Sequence, residues 1–136
     1  MKVTICSSIY FAKDVLKLKL ELEKLGHAVT IPNSIEKYAR EEIKHEDKWT
    51  KIKGDVIRKY FQVIKKSDAI LVLNKNKNGI KNYIGGSVLM EIAFAHVLHK
   101  NIFLLNPIPK DLSYSDEIAA MKPRVINCDL KKININ

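Results

Sequence analysis

Short apolar runs alternate with longer amphipathic ones along this chain, and that alternation limits the fold more than any other feature. Lys2 to Ser7 (KVTICS), His27 to Ile31, Ala69 to Leu73 (AILVL), Asn101 to Leu105 and Arg124 to Ile126 read as five strands. AILVL is the clearest, because a strand apolar at every position is buried on both faces. Between these runs, Phe11 to Leu25 carries leucines at 16, 18, 20, 22 and 25 among lysines and glutamates. Its length and its closing Gly26 favour a helix over a strand. Ile35 to Lys66 is charged and mainly helical in pattern. Gly54 divides it into a lid-like segment and a helix from Asp55 to Lys66. Asn74 to Ile84 is a polar loop, and Ser87 is placed to cap a helix reaching about His99. Tyr114 to Met121 reads as a short helix. Strands separated by helices imply a parallel sheet covered on both faces. Right-handed crossovers then give a three-layer, doubly wound α/β fold of the flavodoxin or Rossmann-like kind, with strand order 2-1-3-4-5.

The 136 residues suit one domain spanning 1–136. The net charge of +9 comes mostly from lysine, with arginine only at 40, 58 and 124. Specific phosphate and base recognition in nucleic acids favours arginine. The lysines (Lys13, Lys17, Lys24; Lys44, Lys48, Lys51) instead fall along amphipathic helices, as solvated faces do. A nucleic-acid partner is therefore not expected, although the positive field would attract small anions such as nucleotides. Cys6 and Cys128 offer no disulfide framework. No apolar run approaches the roughly 20 residues of a membrane span. The chain opens straight into a strand without a signal peptide, so the expected location is cytoplasmic.

Ligands of such sheets sit beyond the carboxyl ends of the strands. That edge collects Ser7 and Ser8 after the first strand, Asn74 after the third, Asn106 after the fourth, and the turn Gly85-Gly86-Ser87. Each also has a plain structural explanation: helix capping for the serines, turn chemistry for the asparagines, a tight loop-to-helix turn for the glycines. About one turn into the next helix stands Glu91, amid Val88, Leu89, Met90, Ile92, Ala93, Phe94 and Ala95. A carboxylate in a helix apolar on nearly every side is costly unless paired, hydrogen-bonded or protonated. The alternative for Glu91 is a first-turn glutamate favoured by the helix dipole. His96 and His99 are spaced i, i+3 without a further ligand, so no metal or cofactor is expected. Asp68 precedes the third strand, at the wrong edge for chemistry. Trp49 and Tyr38 belong to the lid-like segment. No Gly-Lys-Ser/Thr phosphate loop or dinucleotide fingerprint is present.

From Ser67 to Pro107, with Ser7-Ser8-Ile9 in support, the chain resembles the nucleoside 2-deoxyribosyltransferase-like superfamily, which includes the deoxynucleoside 5′-monophosphate N-glycosidases. In that family a glutamate at the start of a helix, after a glycine-containing loop, is the nucleophile. Here the matching stretch is Met90-Glu91-Ile92-Ala93. The resemblance implies N-glycosidic cleavage of a nucleoside or nucleoside 5′-monophosphate, with Glu91 attacking the anomeric carbon. It also implies substrate contacts from Ser7, Ser8, Gly85, Gly86 and Ser87, and a homodimer. The apolar breadth of the Ser87–His99 helix independently calls for a covered second face. Ala93 stands where the family has a small glycine, a mild change, and the chain departs from the family in three further places. Tyr60 stands where an aspartate assists the chemistry, Gly85 stands where the loop carries an acid, and Ile9-Tyr10-Phe11-Ala12 replaces a Gly-Gly-Arg-like extension. These departures motivate an alternative, a non-catalytic nucleotide-binding or sensor protein on the same fold.

Overall fold

A computed structural model describes residues 1–40 and 55–134. The expected lid from Gly54 backwards, with Trp49 and the lysines at 44, 48 and 51, lies outside the described residues apart from its first turn. The elements are β1 (Lys2–Cys6), α1 (Ala12–Lys24), β2 (Ala28–Thr30), α2 (Ile35–Ala39), α3 (Val56–Lys65), β3 (Ala69–Val72), α4 (Gly86–Val97), β4 (Asn101–Leu104), α5 (Ser115–Ala120) and β5 (Arg124–Val125). The five strands form one parallel sheet in the order β2-β1-β3-β4-β5, so the α/β fold expected from the alternation is the one adopted. Among the described residues no helix is long and apolar enough to cross a membrane.

The side-chain period of two divides the core cleanly. Val3, Ile5, Leu71, Leu73, Phe103 and Leu105 face α1 and α2, joining Val15, Leu18, Leu22 and Ile35. Cys6, Ile70, Val72, Ile102 and Leu104 face the other way, joining Ile64 of α3, Val88, Ile92 and Ala95 of α4, and Ile118 of α5. Every residue of β3 is buried, as a central strand requires. Helix α1 buries Val15, Leu18 and Leu22 and leaves Leu20 59% exposed; only some of its alternating leucines therefore belong to the core. Gly26 (φ +92°) closes α1, with the amides of Gly26 and His27 bonding back to Glu23 and Leu22. This doubly bonded helix end needs the left-handed backbone that glycine adopts without strain.

Two local readings change. Ser87 does not cap α4: Gly85 holds the capping position without a side-chain bond, and Ser87 sits exposed inside the first turn. The helix begins one residue earlier because Gly85 is extended (φ −85°, ψ 177°) and Gly86 is already helical. The polar loop from Asn74 to Ile84 contains a small hairpin. Lys77 and Ile80 exchange both backbone hydrogen bonds around Asn78 and Gly79, which both have positive φ. Asn-Gly is the dipeptide that this two-residue turn prefers. The Tyr83 amide donates to the Lys75 carbonyl, which extends the arm. Asp68 has the structural role expected of it, accepting from the Lys2 amide at 2.7 Å.

Candidate functional site

β1, β3 and β4 end side by side, and their parallel register brings Ser7-Ser8, Asn74 and Asn106 to one edge. The two asparagines spend most of their hydrogen-bonding capacity on each other. The Asn74 amide donates to the carbonyls of Asn106 and Pro107 (2.9 and 3.1 Å) and its oxygen accepts from the Asn106 amide (2.9 Å). Asn106 returns a bond from Nδ2 to the Asn74 carbonyl. Asn74 is fully buried. The pair ties β3 to β4 where the ladder stops, which is turn chemistry in service of the edge.

Ser7 is buried and donates to the Ser8 carbonyl. Ser8 Oγ accepts from the Tyr10 amide and so caps the short 3₁₀ turn Ile9–Phe11. The same oxygen accepts from Lys77 Nζ at 3.2 Å. The Lys77 ammonium lies 5.3 Å from the centre of the Tyr10 ring and 5.1 Å from that of Tyr83. Gly85 has a packing reason: a Cβ there would stand 3.1 Å from the Tyr83 hydroxyl oxygen and 3.3 Å from its ring. Gly86 has none, since a Cβ would meet nothing within 4 Å.

Glu91 lies in the second turn of α4, so stabilisation by first-turn position does not explain it. Among the described residues no hydrogen bond or ion pair engages its carboxyl. Burial pushes its pKa up to about 8, because the ionised form loses its hydration without a compensating partner. Its field reaches the buried Cys6 thiol at the end of β1 and the phenol of the half-buried Tyr60 of α3. Both are raised well above their ordinary values, chiefly by burial. The Tyr60 hydroxyl donates to the Ile5 carbonyl, one residue before Cys6. Its proton is thus committed to the backbone, and the phenol is further from ionising than a free tyrosine. Tyr60 is built to hold α3 against β1; it is not a base near neutral pH.

A cavity of about 700 Å³ opens at the same strand edge, on the side of α1 and α2. Ile9 to Asp14 line it, together with Tyr38, Lys75, Asn76, Asn82 and Asn106. Three amides stand among its polar groups, beside Lys13, Asp14, Lys75 and two tyrosines: Asn76 Oδ1 accepts from the Asn82 backbone, while no bond occupies the Asn76 Nδ2 or the Asn82 side chain among the described residues. Lys75 bridges to Asp14 at 3.1 Å and closes the hairpin onto α1. Of the residues expected at the site, only Asn106 lines this cavity. Glu91 and Tyr60 are associated with the α3–α4 face instead. Sequence reasoning passed over Lys77, Tyr10, Tyr83, Asn76 and Asn82; the Asn78-Gly79 turn signal was the one cue that these residues are held in a defined hairpin.

His96 and His99 are exposed, and among the described residues no three His, Cys, Asp or Glu side chains are grouped as a metal site. No protein-family model matches the chain, and no curated protein shows significant similarity to it.

Proposed function

We propose that the protein is an N-glycosidase of the nucleoside 2-deoxyribosyltransferase-like kind, acting on a nucleoside or nucleoside 5′-monophosphate through Glu91. The observation that carries this reading is the half-buried, largely desolvated Glu91 carboxyl, which has no bonding partner among the described residues, beside the carboxyl edge of a doubly wound sheet. Folding does not retain an unpaired buried carboxyl for stability, and perturbed titratable groups of this kind concentrate at reactive sites. In the reaction, ionised Glu91 bonds to the anomeric carbon as the carbon–nitrogen bond breaks. The bonding pair leaves with the base nitrogen, which takes up a proton. Water then cleaves the glycosyl ester, releasing the sugar and regenerating the carboxylate. Ring faces and unoccupied amide edges in the cavity suit a planar base. The ligand would then lie across the ends of β1 and β3, with its anomeric carbon toward Glu91.

The test is chromatographic detection of free base from pooled ribo- and deoxyribonucleosides and their 5′-monophosphates. Release by the wild type and not by Glu91→Gln is the expected result. Equal release by both proteins removes Glu91 from the chemistry. A second reading, a nucleotide-binding or sensor protein, is favoured by one observation: Tyr60 is no base, and among the described residues no other carboxylate acts on Glu91. It predicts a ligand-induced rise in melting temperature with no base released.

The protein is read as a homodimer joined through α3 and α4. Support comes from the apolar side chains left open there: Val97 is 72% exposed, Ile57 50% and Met90 39%, around the edge-to-face pair Phe61–Phe94.

A further inference from the structure

We infer that Cys6 is the positioning residue of Glu91: its thiol is the donor that the carboxylate bonds when Glu91 ionises. The inference rests on the reading of Glu91 as a nucleophile only for what the ionised carboxyl then does.

The two groups belong to one face of the sheet and one edge. Glu91 follows Val88 by three residues and precedes Ala95 by four, so the three share a row of α4. Val88 and Ala95 are buried in the same apolar cluster as Cys6. The row that carries Glu91 therefore faces that cluster. Helical side chains lean toward the helix N-terminus, which brings Glu91 back toward the strand ends. Cys6 is the last residue of β1, paired in register with Val72 at the end of β3.

An ionised carboxylate accepts hydrogen bonds and donates none. Among the described residues, the titratable groups that meet Glu91 from the elements around it are Tyr60 of α3 and Cys6 of β1. β3 (AILV) and β4 (NIFL) hold none. Arg58 and Lys59 on α3, and Ser87 and His96 on α4, are exposed. The Tyr60 proton is spent on the Ile5 carbonyl. The Cys6 thiol is fully buried and makes no hydrogen bond among the described residues. A donor without an acceptor and an acceptor without a donor thus meet in one cluster. Burial pushes the thiol well up and the Glu91 charge pushes it further, so Cys6 keeps its proton where Glu91 loses its own. A thiol is a weak, uncharged donor. It aims the carboxylate without neutralising it, as a lysine would.

The experiment follows the Glu91 carboxyl carbon by NMR against pH, its resonance assigned by its absence in Glu91→Gln. No substrate is needed. Wild type is compared with Cys6→Ala and Cys6→Ser, from a midpoint of about 8. Removing the donor in Cys6→Ala should raise the midpoint by about half a pH unit, and the stronger hydroxyl donor of Cys6→Ser should lower it by about one. A lower midpoint in Cys6→Ala overturns the inference, because it shows that the thiol only kept water out. Unmoved midpoints in both variants overturn it too, as does a rise in Ser87→Ala equal to that in Cys6→Ala. If either variant fails to fold, the S–H stretching band of Cys6 decides, read by infrared in Cys128→Ala protein. The band should fall in frequency as Glu91 ionises and stay fixed in Glu91→Gln; a band fixed in both overturns the inference. Midpoints that move as stated, with no base released from any nucleoside or nucleotide, leave the inference standing and refute the glycosidase reading. Base release that depends on Glu91, with unmoved midpoints, does the reverse.

Discussion

Replacing Glu91 with glutamine is expected to make the protein more stable, and increasingly so as pH rises. Glutamine copies the shape of the protonated carboxyl and cannot ionise. In the folded protein Glu91 titrates at about 8, against an ordinary value of 4.5. Because the folded pKa is the higher one, the native state holds the proton more tightly than the unfolded chain. This contribution is fully present below about pH 4.5 and is lost as pH rises toward 8. Each unit corresponds to about 1.4 kcal/mol, so the separation sets a ceiling of about 5 kcal/mol. Residual solvent access to Glu91 and local relaxation reduce that to about 2–4 kcal/mol. Urea unfolding of wild type and Glu91→Gln at pH 5, 6, 7, 8 and 9 measures it directly. The difference between the two should be small at pH 5, grow through neutrality and level off above pH 8. A flat difference across this range would refute the reasoning, because it would mean that Glu91 is solvated or paired. The same titration governs the proposed chemistry: attack needs the carboxylate, so base release at subsaturating substrate should rise with pH and level off near 8.

Asn74→Ala should cost about 2–4 kcal/mol in denaturant unfolding, since it leaves the Asn106 amide and the Asn106 and Pro107 carbonyls without their partner in a buried setting. Gly86→Ala should leave the melting temperature unchanged or slightly raised, as alanine is the better helix former and the space is open, yet weaken ligand binding where the backbone must be approached closely. Gly85→Ala should instead lower the melting temperature, through contact with the Tyr83 ring. Sedimentation velocity should show a dimer that Val97→Asp converts to monomer; a wild-type monomer well above micromolar concentration would refute the interface.

How much of this was legible in the chain depends on the range of the interactions involved. The strand order followed from alternation and handedness, which are local and chiral constraints. The helical state of Phe11 to Leu25 followed from its length and its closing glycine, against a misleading period of two in its leucines. The position of Glu91 beside the strand edge was equally readable, because the turn before it and the apolar run around it lie within one short stretch. The Asn78-Gly79 hairpin was written there as a dipeptide and passed over as loop. Other features existed only once distant segments met. The reciprocal Asn74–Asn106 bonds need two strand ends side by side. The Tyr60 hydroxyl donates to a carbonyl 55 residues away, and Lys77 gained Ser8 across 69 residues. The sequence by itself determined the sheet, its two covered faces and the edge where small polar groups gather, since periodicity and crossover handedness act residue by residue. Tertiary structure alone decided which of those groups are spent on one another and which are left unpartnered. Burial and hydrogen bonding are properties of neighbours in space, which a linear chain does not list.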